Sequence, residues 1–285
     1  MPSLPCLRRC LVAAAVAAAA ASSSVVAADP PATGPSDDIV PIKKARIIIA
    51  EDFESTAVGG IPAGYTKKGA VGVVGDVAHT GTKSLRLDAA VNGARQIIKQ
   101  GEELTTLGGQ HWGRLFFKVQ LPSAVPPDGK IVHTTIVAGA AESPLAKDPI
   151  EVRLLGTLGN SKGTYQYLYN VQPRKGRKEF GPSTKSIYHY ADGWVLAEWY
   201  VDYATQTYRC FIDGHELTAL SIKKGENNFA GAEIPPVFES LSFGWCNYQP
   251  VVGTGFVAWI DDIALGKDRI GGQTLLPIAG ASKKP

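Results

Sequence analysis

Apolar and polar residues alternate with a period of two along most of this chain. The clearest case is the segment 194–212, WVLAEWYVDYATQTYRCFI, in which aromatic and β-branched residues recur on both sides of a short polar turn. This alternation predicts β-strands, because successive side chains of a strand point to opposite faces of a sheet. Asp213 and Gly214 follow directly and predict a tight turn, since glycine adopts positive φ without steric penalty.

Roughly ten to twelve such strand patterns occur, separated by loops that contain Gly and Pro. Besides the hairpin at 194–212, the main predicted strands are 46–49, 71–77, 84–87, 94–99, 112–121, 130–138, 150–155, 164–171, 238–245 and 256–265. No segment shows an apolar period of 3.6 residues over more than two turns, which argues against a helical domain. The pattern therefore predicts an all-β sandwich of two antiparallel sheets.

The first 28 residues have the organisation of a secretory signal peptide. Arg8 and Arg9 precede an alanine-rich apolar run, and Ala27 or Ala28 offers the small residue of a cleavage site. The run is short for a bilayer, so we expect no membrane span, with an uncleaved anchor as the alternative. We expect a secreted or periplasmic protein that consists of a signal peptide at 1–28, a Pro-rich arm at 29–44, one β domain at 45–272 and a tail at 273–285.

Charge and cysteine content narrow the class of partner and the compartment. The formal net charge is +3, and it falls to +1 without the two arginines of the signal segment. So small a charge gives no electrostatic basis for binding nucleic acid. Outside the signal segment the cysteines are Cys210 and Cys246. Exported proteins commonly pair such cysteines, so we expect one disulfide, with two buried thiols as the alternative.

Several motifs resemble those of a known family. The segments 111–122, 243–249 and 259–271 resemble the glucuronan lyases and the fungal cellulose-induced jelly-roll protein. The hairpin at 194–214 is similar to the central hairpin of concanavalin A-like jelly rolls. The wider frame is similar to concanavalin A-like jelly rolls of carbohydrate-binding modules and polysaccharide lyases, through the motifs EDFES at 51–55, AHTGTKSLRL at 78–87 and WIDDIALG at 259–266. The resemblance implies a β-jelly-roll sandwich in which the first and last strands are neighbours. It also implies a polysaccharide as the partner, and we expect a monomer.

The same resemblance implies a structural calcium ion near the chain ends. The implied ligands are the carboxylates of Glu54 and Asp262, together with the main-chain oxygens of Thr80 and Lys83. Calcium takes about six to eight hard oxygen ligands in irregular geometry, which suits such a mixed set. Whether Asp261 or Asp262 binds stays open, and hydrogen bonding of these carboxylates to turns is the alternative.

A polysaccharide lyase abstracts the C5 proton of a uronic acid. The reaction needs a cation for the sugar carboxylate, a base and a proton donor. We assign Arg153 to the carboxylate, His133 to the base, and Tyr167 or Tyr169 to the proton donor. The strand IVHTTIV is similar to the Gln-Ile-His strand of alginate lyases, although their Tyr-x-Lys-x-Gly-x-Tyr motif does not occur. A structural ion pair between Arg153 and Glu151 is the alternative.

Other side chains suit contacts with a sugar polymer, because aromatic planes stack on sugar rings and cations attract carboxylates. These predicted substrate-binding residues are Arg114, Lys118, Tyr165, Trp245 and Tyr248. Each aromatic residue would equally suit a packed core. The sequence contains neither the histidine spacing of a zinc site nor a Gly-x-Ser-x-Gly nucleophile motif. The predicted function is therefore cleavage of uronic-acid-containing glycans, with a non-catalytic carbohydrate-binding protein or an envelope-associated structural domain as alternatives.

Overall fold

The computed structural model describes residues 45–173, 179–185, 187–226 and 233–272, in which the chain forms fourteen β-strands and one short α-helix. The predicted signal peptide, arm and tail lie outside the described residues. The helix is α1 (Glu102–Leu107). The strands are β1 (Ile47–Glu51), β2 (Tyr65–Lys68), β3 (Val71–Val74), β4 (Ser84–Ala90), β5 (Gly93–Gln100), β6 (Gln110–Val119), β7 (Ile131–Glu142), β8 (Pro149–Asn160), β9 (Tyr165–Pro173), β10 (Val195–Asp202), β11 (Thr207–Ile212), β12 (His215–Glu216), β13 (Ser240–Asn247) and β14 (Phe256–Gly266).

The strands form two antiparallel sheets. One has eight strands in the order β12-β11-β10-β6-β14-β4-β3, and β1 pairs with β14 outside this path. The other has six strands in the order β2-β5-β13-β7-β8-β9. The first and last strands are neighbours, with Ala50 opposite Ala264, as the family resemblance implied. This architecture confirms the predicted all-β sandwich of two antiparallel sheets.

Hydrophobic side chains from both sheets form one core. Ala197, Trp199 and Val201 alternate along β10 and are buried, in agreement with the alternation of the sequence. Trp245 of β13 belongs to the same cluster from the facing sheet. Burying one large apolar side chain stabilises a fold by about 1.5–3 kcal/mol, so this shared layer is the main source of stability.

Gly113 of β6 provides the space that Trp199 occupies. The two residues lie opposite each other on neighbouring strands. A Cβ atom at position 113 would lie 2.1 Å from Cζ2 of Trp199, closer than any real carbon contact. The missing side chain therefore lets the indole lie directly on the backbone of the adjacent strand.

Helix α1 is a minor element at one end of the sandwich. Its buried residues are Leu104 and Leu107, which pack against the core. Its length agrees with the prediction that no helix exceeds two turns. Within the described ranges, no helix is long and apolar enough to cross a bilayer.

The two cysteines lie on different sheets and are both free thiols. Cys210 of β11 is opposite Trp199 and is buried in the core. Cys246 of β13 is opposite Thr135 on the other side of the six-stranded sheet, away from the core. The expected disulfide is therefore not formed, because alternation directs the two side chains into separate environments.

Candidate functional site

The six-stranded sheet carries a polar surface on the side that faces away from the core. Residues directly opposite each other on adjacent strands share a face of the sheet. The register places Arg153 opposite Asn170 and Glu151 opposite Gln172, while the intervening Val152 belongs to the core. We call this polar side the outer face. The side chains that lie on it include those of His133, Thr135, Glu151, Arg153, Gln172, Cys246 and Tyr248.

Arg153 and Tyr248 are in contact on the outer face, beside the edge strand β9. The guanidinium carbon of Arg153 lies 3.9 Å from the centroid of the Tyr248 ring, within the range of a cation–π interaction. Arg153 Nε donates a hydrogen bond to Glu151 Oε1 at 2.8 Å, and Nη2 donates to Gln172 Oε1. These neighbours leave Arg153 only 3% exposed. Its orientation is therefore set within the protein before any ligand binds.

The hydroxyl group of Tyr248 is held by two partners. It donates to Glu151 Oε1 at 3.0 Å and accepts from Thr135 Oγ1 at 3.3 Å. Burial of the hydroxyl and the adjacent Glu151 carboxylate raise the pKa of Tyr248 well above its usual range. The phenol therefore stays protonated at neutral pH and can donate a proton. The residue as a whole is 38% exposed, so a ligand can reach it.

His133 lies on the outer face beside Tyr248. The Tyr248 N–H donates to the His133 carbonyl oxygen at 3.0 Å, and the His133 N–H donates to Gln249 Oε1 at 2.7 Å. Arg153 is opposite Ala138 on β7, so five strand positions, 133 to 138, separate His133 from the arginine. Five strand positions correspond to about 16 Å along the strand direction. Tyr248 lies between them, because it bonds to one backbone and stacks on the other side chain.

The partners of Arg153 and His133 were predicted only in part. The ion pair between Glu151 and Arg153, which the sequence offered as an alternative, is present. Gln172 and Gln249 were missed. They belong to a neighbouring strand and to the segment after β13, and no local pattern links either residue to Arg153 or His133.

The tyrosines of β9 face the opposite side of the sheet. Tyr169 is fully buried and stacks on Tyr208 with ring centroids 4.1 Å apart. Tyr167 is 7% exposed, stacks on Tyr188 and borders a cleft of about 360 Å³ at the edge of the sandwich. Burial raises the pKa of both hydroxyls. This placement corrects the expectation that Tyr167 or Tyr169 shares a groove with the candidate base and cation, because the sheet itself separates them.

Two of the predicted substrate-binding aromatic residues are also core residues. Trp245 is 1% exposed, and its indole N–H donates to Asn247 Oδ1 at 3.0 Å. Tyr165 is 4% exposed, and its hydroxyl is hydrogen-bonded to Ser123 Oγ at 2.9 Å. Neither ring can stack on a sugar at the outer face. Of the three predicted aromatic contacts, Tyr248 is the one that remains accessible.

Arg114 and Lys118 belong to the eight-stranded sheet and point away from the core on that side. Arg114 is fully buried, and its Nη1 donates to the Gly271 carbonyl oxygen at 2.6 Å. Lys118 Nζ donates to Asp192 at 2.6 Å. Both lie on the opposite side of the sandwich from Arg153. The expectation of one groove that combines them with Arg153 is corrected by the sheet order, which assigns β6 and β8 to different sheets.

Glu54 and Lys83, two of the predicted calcium ligands, contact each other directly. The Glu54 carboxylate accepts the N–H of Thr82 at 2.8 Å and the N–H of Lys83 at 2.7 Å. The Lys83 ammonium donates to the main-chain oxygens of Glu54 at 2.8 Å and Thr56 at 2.9 Å. Desolvation acts to raise the pKa of the Glu54 carboxyl, but the hydrogen bonds from Thr82 and from the Lys83 N–H, with the charge of Lys83, lower it overall. The Glu54 carboxylate is therefore held by N–H and hydroxyl donors of the turn, while the Lys83 ammonium binds two main-chain oxygens of the facing loop.

Asp262 and Thr80, the other two predicted ligands, form a second group. Thr80 Oγ1 donates to Asp262 at 2.9 Å, and His79 Nδ1 lies 2.7 Å from the same carboxylate. Asp262 has φ +49° at an irregularity of β14, which directs Asp261 to the same turn, where it accepts the His79 N–H at 2.8 Å. Burial raises the pKa of Asp261 to about 7. Among the residues that the structure describes, no three or more His, Cys, Asp or Glu side chains are grouped so that they could hold a metal ion.

Comparison with known proteins identifies the fold. No family model matches the chain, and no curated protein matches its sequence. The structure is similar to that of a cellulose-induced protein, Cip1, with a TM-score of 0.50 and 18% identity, over 78% of this chain and 99% of that one. It is similar to an endo-β-1,4-glucuronan lyase from the fungus Trichoderma reesei with a TM-score of 0.50 and 14% identity, over 78% and 96% of the two chains. The chain therefore has the predicted concanavalin A-like jelly-roll fold.

Proposed function

We propose that this chain is an exported protein that engages a polysaccharide along the outer face of the six-stranded sheet. The observation that carries the proposal is the contact between Arg153 and the accessible ring of Tyr248, beside His133. An aromatic ring next to fixed polar groups is the usual composition of a carbohydrate site. The two structural neighbours are named for glucuronan cleavage and for induction by cellulose, which supports a polysaccharide as the partner.

The reaction that these groups support best is β-elimination on a uronic-acid-containing glycan. A sugar carboxylate would displace Glu151 or Gln172 from the Arg153 guanidinium, and the new ion pair would make the C5 proton more acidic. His133 takes that proton, the C4–O bond breaks, and a C4=C5 double bond forms. Tyr248, kept protonated by its raised pKa, donates its proton to the leaving oxygen. Tyr248 thus has the role that the sequence assigned to Tyr167 or Tyr169.

The test is the ultraviolet absorbance of the unsaturated product during incubation with glucuronan and a panel of other polyuronates. Tyr248→Phe and His133→Ala should each lower kcat by about 10²–10⁴-fold, because each removes one proton-transfer group. The matched controls are Tyr203→Phe and His215→Ala. Both residues are exposed, Tyr203 directly after β10 and His215 in β12 of the eight-stranded sheet, and both variants should keep full activity. Full activity in Tyr248→Phe and His133→Ala would exclude this assignment.

A second candidate function is non-catalytic carbohydrate binding. The observation that favours it is the ion pair of Arg153 with Glu151, which already neutralises much of the guanidinium charge. A neutral glycan would then bind through Tyr248 and the amide and hydroxyl groups of the outer face. This function predicts no absorbance change on any polyuronate, sedimentation with an insoluble glycan, and loss of that sedimentation in Tyr248→Ala but not in Tyr203→Ala.

A further inference from the structure

The carboxylate of Glu151 binds two side chains that the proposed reaction uses. Its Oε1 atom accepts a hydrogen bond from Arg153 Nε at 2.8 Å and another from the Tyr248 hydroxyl at 3.0 Å. One oxygen atom therefore serves both groups. Because a phenol has a single proton to donate, the Tyr248 proton is engaged as long as Glu151 stays in this position.

The sheet brings these three side chains together from two strands that are not adjacent. Glu151 and Arg153 are two positions apart on β8, so both lie on the outer face. Tyr248 comes directly after β13, and β7 lies between β13 and β8. A long side chain can cross β7 at this point, since the residues of β7 opposite Arg153 and Glu151 are Ala138 and Ala140.

A ligand carboxylate on Arg153 would compete with Glu151. The Glu151 side chain is 35% exposed and can turn towards solvent, whereas Arg153 is buried. The other partner of the guanidinium, Gln172, is neutral. If Gln172 left, two carboxylates would lie side by side on Arg153, and like charges that close repel each other. Glu151 is therefore the partner that a sugar carboxylate displaces.

We propose that Glu151 determines the specificity of the outer face for free uronic acids, because its displacement by a sugar carboxylate exposes the Arg153 guanidinium and releases the Tyr248 hydroxyl together. A uronic acid methyl ester carries no charge that displaces Glu151. The Tyr248 proton then stays bonded to Glu151 and does not reach the leaving oxygen. The inference rests on the proposed function, since it states which substrates that site accepts.

The main test compares the binding of glucuronan fragments to the parent protein and to Glu151→Gln, by calorimetry at low salt. Both carry His133→Ala, which prevents cleavage during the titration. The glutamine keeps an oxygen that accepts from Arg153 and Tyr248 but removes the competing charge. The dissociation constant should fall about fivefold or more, and the difference should vanish in about 1 M NaCl, where charges are screened within about 3 Å.

The opposite result is expected if Glu151 only orients Arg153. Glu151→Gln would then bind glucuronan more weakly, and weaker or unchanged binding would overturn the inference. The affinity for methyl-esterified glucuronan should be equal in the parent and in Glu151→Gln. The control Glu142→Gln removes an exposed carboxylate at the end of β7 and should bind like the parent. Gln172→Glu adds a second carboxylate beside Arg153 and should weaken the binding of glucuronan about fivefold.

The absorbance assay with His133 intact separates this inference from the lyase reaction. The wild type should cleave glucuronan with a kcat/KM at least about tenfold above that for the methyl ester, and Glu151→Gln should lower KM with little change in kcat. Tighter glucuronan binding by Glu151→Gln without any absorbance change would refute the lyase reaction but support the role of Glu151. Cleavage of the ester as fast as the free acid would overturn the role of Glu151 alone.

Discussion

Acidification should destabilise the folded protein through His111. This residue of β6 is fully buried, and its ring makes an edge contact with Phe238 at 6.0 Å between centroids. Burial, with a smaller contribution from Lys267, lowers the pKa of His111 from 6.5 to about 4, against an opposing hydrogen bond to Gly108. Among the residues with described positions, Nε2 of His111 has no hydrogen-bond partner. Protonation would therefore place an unpaired charged N–H group in the core.

The direction of the pH effect follows from the lowered pKa. Below pH 6.5 the unfolded chain binds a proton at His111, whereas the folded chain does not until the pH approaches about 4. The contribution to stability is complete above pH 6.5 and is lost as the pH falls. For one such site, linkage gives a loss of about 2 kcal/mol at pH 5 and about 3 kcal/mol at pH 4.

Urea unfolding followed by tryptophan fluorescence can measure this loss. The wild type and His111→Leu are compared at each pH, so that the contributions of the carboxylates cancel in the difference. The free energy of unfolding of the wild type should fall, relative to the variant, by about 3 kcal/mol between neutral pH and pH 4. The control His215→Leu changes an exposed histidine and should follow the wild type. A relative change below about 1 kcal/mol would refute the reasoning.

Three further predictions concern packing and the cysteines. Gly113→Ala should lower the free energy of unfolding, measured by denaturant melts, by about 3 kcal/mol or more, because the new Cβ displaces the Trp199 ring. The control Gly193→Ala has no atom within 4 Å of its new Cβ, so its free energy of unfolding should stay close to that of the wild type. Tyr169→Phe should keep the activity and raise the free energy of unfolding by up to about 1 kcal/mol, since its buried hydroxyl has no partner in the described residues; a folded but inactive variant would contradict its placement in the core. Alkylation without reductant should modify Cys246 slowly in the native state and both cysteines after unfolding, as shown by mass spectrometry, while a protein without free thiols would contradict the sheet assignment.

The strand positions could be read from the sequence because alternation is a local property. The second arm of the hairpin predicted at 194–212 is β11, and the predicted strand 256–265 matches β14 to within one residue. Strand β2, with the sequence YTKK, was missed because most of its side chains are exposed and it lacks an apolar face. Helix α1 was missed because six residues with two buried leucines carry little periodic signal.

The candidate site was predictable in part. Arg153, His133 and Tyr248 were identified as residue types that suit a polysaccharide, and all three belong to the outer face. The alternation of the β9 tyrosines showed that they share one face of their strand. It could not show which face, since a tyrosine suits both a core and a sugar-binding surface, and their burial results from packing against the other sheet.

By itself, the sequence determined the strands, the fold class and which residues of a strand point the same way, because these depend on neighbours along the chain. Only the tertiary structure decided which face meets solvent and which strands are adjacent. Those choices arise from contacts between distant segments, such as Tyr248 with Glu151 and Lys83 with the carbonyl of Glu54. The same alternating pattern is compatible with either direction of a side chain until the second sheet covers one side.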